Sequence, residues 1–224
     1  MSDARALIFW GGWEGHEPEA CARVVADLLR DEGMDVTSVE GAGALRTEDP
    51  ERFSLIVPMV TQVASDKDDV DRLCAAIRGG VGLGGFHGGM GDAFRDAPAY
   101  QFMVGGQWVA HPGDIIDYRV DVTRPDHPIT RGIDSFDYRS EQYFLHVDPG
   151  LEVLATTTFS GEHAPETAGT VMPVVWTRQY GEGRVFYSAL GHKAEELAHP
   201  AAREILRRGL TWAAKSSNAE RGPQ

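Results

Sequence analysis

Val81 to Gly91 reads VGLGGFHGGMG. The first half is a short apolar strand and the second a glycine-lined turn, the strand-to-helix elbow on which many α/β enzymes raise a nucleophile. The residue at the tip is His87, where a hydrolase would carry Ser or Cys. Glycines flanking a strained residue permit a tight turn and project its side chain into the cleft. A nearby helix N-terminus disfavours the charged imidazole, which predicts a neutral ring able to serve as base, acid or metal ligand. The competing reading is a glycine-rich turn to which the histidine is merely hydrogen-bonded.

Working outward, RALIFW (5–10) is a short apolar strand followed by the Gly-rich loop GGWEGH. Pro18 suits a first helical turn, and Cys21, Val24, Val25, Leu28 and Leu29 recur at helical spacing until Gly33. MDVTSV is a second strand, and FSLIVPMV a third whose Pro58 marks a strand end or an exposed edge. Ser65 is placed to cap a helix over SDKDDVDRLCAAIRGG, with an acidic first turn and a glycine stop. Unalternating apolar strands joined by helices predict a parallel sheet covered on both faces, with ligands at the carboxyl ends of its strands. If the first and fourth strands are parallel neighbours near the centre, His16 and His87 emerge at the same carboxyl edge.

Beyond about residue 112 the pattern changes. DIIDYRVDV alternates as a half-exposed antiparallel strand does, and LEVLATTT, TVMPVVWT and GRVFYSAL follow as strands, the last two joined at YGEG. AAREILRRGLTWAA closes a single domain over 1–215, and 216–224 lacks apolar periodicity and is expected to be a disordered tail.

Composition narrows the partners. Asp and Glu outnumber Lys and Arg by 34 to 21, and the formal charge of −13 repels nucleic acid and anionic membranes. Neutral small molecules and metal cations are the easier ligands. No signal-peptide pattern or membrane-length apolar run is present, so a cytoplasmic location is expected. Cys21 and Cys74 both lie on apolar helix faces and read as packing residues. Cysteine chemistry is excluded, and no Gly-x-Ser-x-Gly elbow offers a serine instead.

Four of the eight histidines follow strands or sit in Gly-rich loops: His16, His87, His111 and His192. Of these, His16, His87 and His111 are candidate metal ligands, with zinc the first choice of divalent ion. DSFDYRSEQYFLH (134–146) offers Glu141 and Tyr143, which alternation places on one face if this is a strand. Glu141, His87 and His192 are the candidate catalytic groups. Trp13, Trp108 and Tyr143 are candidate substrate contacts, because an indole face stacks on the apolar side of a sugar ring. His127, His163 and His199 stand beside prolines or in polar loops and read as turn residues.

Together, FWGGWEGH, GVGLGGFHGG, GGQWVAHPG, DHPITRG, SEQYFLH, PVVWTRQYGEGRVFYSALGH and the closing helix resemble the ThuA-like, trehalose-utilisation family, over residues 5 to 214. The resemblance implies a flavodoxin-like, class I glutamine amidotransferase-like α/β sandwich. It has a mostly parallel central sheet, helices on both faces and additional antiparallel strands in the C-terminal half. It also implies a sugar or keto-sugar ligand and, from some relatives, a divalent metal. Where the family carries an acidic pair before Gln-Tyr, this chain has Ser140-Glu141. The expected function is therefore processing of a keto-glycoside in a His-rich cleft by isomerisation, elimination or hydrolysis, in a homodimer. The alternative is a non-catalytic carbohydrate-binding or assembly protein on the same scaffold.

Overall fold

The computed structural model describes residues 4–214; the expected tail at 216–224 lies outside them. Strand β1 (Arg5–Gly12) passes through a 3-10 turn, Glu14–His16, into α1 (Pro18–Asp31), followed by β2 (Asp35–Glu40) and the one-turn α2 (Ala44–Thr47). Next come β3 (Leu55–Thr61), α3 (Lys67–Arg78), β4 (Gly82–Phe86), α4 (His87–Gly91) and α5 (Pro98–Val104). The second half holds β5 (Gly106–Ala110), β6 (Ile115–Val122), β7 (Phe136–Glu141), β8 (Phe144–Val147) and β9 (Glu152–Thr158). It ends with β10 (Val171–Tyr180), β11 (Gly183–Ser188) and α6 (Pro200–Ala213).

One large sheet runs in the order β2, β1, β3, β4, β11, β10, β9, β6, β7, and β5 pairs separately with β8. The strands from β2 to β11 are parallel; β10, β9, β6 and β7 then join antiparallel. This is the α/β sandwich with C-terminal antiparallel strands. Helices α1 and α6 touch one another and pack on the strands, while α3 packs with α5. Wholly buried strand residues such as Leu7, Ile8, Ile56, Val57, Leu83 and Phe186 fill the space between. The broad indole of Trp176, fully buried, donates from Nε1 to the Val104 carbonyl at 3.0 Å, so its one polar atom is satisfied inside the core.

Three local expectations are corrected. The first and fourth strands are not neighbours, because β3 lies between them. Pro58 sits inside β3, an interior strand, and is buried. It is tolerated because β3 pairs with β4 only at Leu55 and Ile56, so the ladder toward that neighbour ends before the residue that lacks an N–H. The cap of α3 is Asp66, whose carboxylate accepts from the Asp68 N–H at 3.0 Å, and not Ser65. The short α5 and the β5–β8 pair had no clear periodic signature and emerge only in three dimensions.

Candidate active site

Parallel strands deliver their carboxyl ends to one edge, and the candidate site is built there. His16 closes the 3-10 turn after β1, Thr61 ends β3, His87 opens α4 directly after β4, and His192 follows β11. Left-handed backbone at non-glycine residues recurs on this edge: φ is 46° at His87, 47° at Glu17 after His16, and 59° at Gln62 after Thr61. Such conformations cost about 1–3 kcal/mol each and persist where the surroundings impose them. His87 therefore does occupy a strained elbow.

Glu141, the last residue of β7, is the hub. Its Oε2 lies 3.0 Å from His87 Nε2 and 3.9 Å from His16 Nε2, and its Oε1 lies 3.4 Å from His192 Nδ1. Ligand atoms of these four buried residues all fall within 4.8 Å of one another. His111, half-buried at the mouth, brings Nε2 to 3.8 Å from Glu141 Oε1 but stands outside the four. Tyr143 is buried and stacks on the His87 ring at 4.0 Å between centroids.

Burial is the main cause that lowers the His87 pKa, to about 4, against a smaller upward pull from Glu141. Desolvation, rather than the helix terminus invoked at the elbow, is the leading cause that favours the neutral ring. Burial alone would raise the Glu141 carboxyl; hydrogen bonds from the surrounding imidazoles, His16 and His192 foremost, hold it well below the usual carboxylate range. The His87 tautomer follows from its neighbour. Nδ1 lies 2.8 Å from the Ala189 carbonyl oxygen, which can only accept, so Nδ1 carries the proton and Nε2 a lone pair. That lone pair faces an ionised carboxylate oxygen at 3.0 Å. Two acceptors at this distance repel unless a proton or cation joins them.

A metal ion fits this requirement. Imidazole ligands ordinarily donate their other N–H to a carbonyl or a similar acceptor, as His87 does to Ala189, and His16 Nδ1 pairs with the Thr61 hydroxyl at 2.8 Å. Three imidazoles and one carboxylate suit a divalent ion such as zinc, bonded at about 2.0–2.2 Å.

The cluster opens on a cleft of about 180 Å³ whose walls include Trp13, Trp108, Tyr143 and His111. Behind His16 and His87 a pocket of about 20 Å³, lined in part by Cys21 and Met59, has room for about one water. The Cys21 thiol bonds the His16 carbonyl, and burial pushes its pKa up to about 12, leaving an inert packing group. His127 accepts from the Ile129 N–H within its turn, and His199 caps α6 by accepting from Ala202 N–H. Sequence reasoning missed Thr61, Asp92 and Glu196. Asp92 lines the cleft. Glu196 accepts from Ser140 Oγ at 2.6 Å and from the His192 N–H at 3.0 Å, fixing the loop that carries His192. An acid inside the otherwise apolar GGMGDAF was the available signal for Asp92.

Metal-free protein is expected to lose stability on acidification. The unfolded chain takes a proton on residue 87 as pH falls through about 6.5, whereas the folded ring resists until about 4. The stabilisation is thus complete above the first value and lost progressively toward the second. Glu141, also depressed, adds a further loss below its ordinary value of 4.5. Urea midpoints at about pH 7, 5.5 and 4.5 check this. His87→Asn, which tolerates left-handed backbone, is expected to flatten the upper part of the curve.

The fold and site thus define an α/β protein with an imidazole on its elbow and a His/Glu cluster at the sheet's carboxyl edge. The chain belongs to the ThuA family, described as trehalose utilisation, whose model matches residues 5–213. Among solved structures, a thua-like protein from Parabacteroides merdae superposes with a TM-score of 0.81 at 18% identity, covering 99% of this chain and 93% of that one. A cytoplasmic protein from Salmonella typhimurium gives 0.63 at 13% identity, over 95% and 100% of the two chains. β-Galactosidase from Bacillus circulans gives 0.56 at 16% identity, over 95% of this chain and 30% of that one. At these identities the likeness concerns the fold alone. No curated protein matches the chain. Among the described residues no helix is long and apolar enough to cross a membrane.

Proposed function

We propose that the chain is a carbohydrate-processing enzyme that acts on a keto-glycoside or related keto-sugar with the help of a divalent ion, zinc by preference. The observation that carries this reading is the buried cluster of three imidazoles and one carboxylate opening on an aromatic-walled cleft. His16, His87, His192 and Glu141 would hold the ion, which when bound supplies Lewis-acid polarisation of a carbonyl oxygen. Trp13 and Trp108 offer faces for the apolar side of a sugar ring. The cleft is smaller than the ~300–1,000 Å³ of drug-sized pockets, which favours one sugar ring at a time.

His111 is the imidazole left for proton transfer. It is partly exposed, and its Nδ1 makes no hydrogen bond but lies 3.4 Å from the exposed Asp114 Oδ1. A carbonyl acidifies the neighbouring C–H, so a base at His111 removes that proton in the step common to isomerisation and elimination. The working form is a cytoplasmic homodimer on a neutral small-molecule sugar.

The test is metal analysis of zinc-replete protein, combined with turnover of 3-keto-disaccharides by wild type, His87→Asn and His111→Gln. Stoichiometric zinc with turnover lost in both variants is expected; His111→Gln should retain its metal. Protein without metal, together with full turnover by His87→Asn, would overturn the proposal. Sugar binding without metal or turnover would instead identify a non-catalytic binding protein.

A further inference from the structure

A second carboxylate lines the same cleft and takes no part in the His/Glu cluster. Asp92 follows α4, is 2% exposed, and accepts a hydrogen bond from Arg95 Nη1. The same Arg95 nitrogen donates to the Trp108 carbonyl at 2.9 Å, and the guanidinium lies over the indole at 5.5 Å from its centroid. Asp92, Arg95 and Trp108 are thereby locked into one wall. Gln62, in its left-handed turn, bonds the Asp92 carboxylate as well, and its N–H donates to the Asp92 carbonyl at 2.9 Å. A carboxylate accepts about four hydrogen bonds, so acceptor sites remain after Arg95 and Gln62 are served.

Among the described residues no Lys or Arg side chain lines the cleft, and the nearest guanidinium, Arg95, is committed to Asp92. Beside Asp92 a ligand donates hydrogen bonds, and a negative charge brought there is repelled by the carboxylate. Sugar hydroxyls meet both conditions.

We propose that Asp92 is the hydroxyl-binding carboxylate of the cleft and restricts it to neutral, unphosphorylated sugars. This rests on the carbohydrate reading above and deepens it: Glu141 belongs to the cluster, whereas Asp92 orients the ring by accepting from its hydroxyls. Arg95 positions Asp92 and does not itself meet the ligand.

Saturation-transfer NMR tests this on metal-free, full-length protein, so that no cation in the cluster draws in the anions, with D-glucose, trehalose, glucose 6-phosphate and glucuronate as probes. Wild type is expected to bind the neutral sugars and reject the two anions. Asp92→Asn, which keeps the shape and removes the charge, is expected to weaken neutral-sugar binding about tenfold or more, since a charged acceptor is replaced by a neutral one. It also frees Arg95, so glucose 6-phosphate binding should appear. Zinc uptake on reloading, unchanged in this variant, confirms that the cluster and fold are intact. Neutral sugars bound equally by wild type and Asp92→Asn would overturn the Asp92 assignment while leaving the carbohydrate reading standing. Failure of wild type to bind either neutral sugar would overturn the carbohydrate reading and this one with it. Should Asp92→Asn not fold, the wild-type panel decides alone: equal binding of glucose and glucose 6-phosphate refutes the proposal, and rejection of the phosphate supports it.

Discussion

Glu141→Gln is expected to lower zinc affinity by more than about 100-fold, because even outer-shell changes around a metal cost about 10–100-fold and this one alters the hub itself. Glutamine keeps the size of the side chain but withdraws the charge on which His16, His87 and His192 converge. The metal-free protein should respond far less. An amide N–H can donate to the His87 Nε2 lone pair, replacing the opposition of two acceptors at 3.0 Å with a hydrogen bond. Removing a buried charge also removes its desolvation cost. Metal-free Glu141→Gln gains this bond but loses the imidazole hydrogen bonds that favour the charged carboxylate, so its melting temperature should change little from that of metal-free wild type, while zinc raises the melting temperature of wild type alone. Isothermal titration with zinc and thermal melts with and without the ion measure both effects. Wild-type zinc affinity in the variant would sink the assignment of Glu141 as a ligand.

The sequence carried the elbow because its signature is local: glycines at 84, 85, 88 and 89 around His87 describe a turn whatever the rest of the chain does. His16, His87 and His192 were legible for a related reason, since each follows a strand and parallel strands share a carboxyl edge. Strand order is not local. Nothing in the periodicity of β1, β3 and β4 says that β3 separates the other two, and here that strand supplies Thr61 to hold His16. Glu141 and Tyr143 were expected to share a face by strand alternation. β7 ends at Glu141 and β8 begins at Phe144, so Glu141 reaches the cleft from the end of its strand and Tyr143 from the break beyond it. Asp92 and Glu196 escaped because a single acid in a helix-terminal or loop segment is ordinarily solvated. Only the packed structure buries Asp92 beside the cleft.

Gly88→Ala is expected to show how closely the elbow and the cluster depend on one another. A Cβ at residue 88 would lie 2.4 Å from His16 Cε1, 2.9 Å from its Nδ1 and 3.0 Å from the Tyr143 hydroxyl. Real carbons do not approach so near, so one of the two rings must move. Tyr143 is buried against His87. His16 is held mainly through Thr61 and packs edge-on against the exposed Trp13, which makes it the ring that yields. Its displacement draws Nε2 away from the other ligands. A misplacement of order 1 Å costs about 100-fold in reactions that depend on alignment, and a loss of similar size is expected in zinc affinity. The cost to the fold is smaller, about 1–3 kcal/mol for an overpacked site. Gly43→Ala is the control, because a carbon added there meets nothing within 4 Å. Zinc titration and urea unfolding of both variants separate the two effects. Equal zinc affinity in Gly88→Ala and wild type would show that His16 lies outside the metal shell, and the glycine after His87 would then be explained by the turn alone.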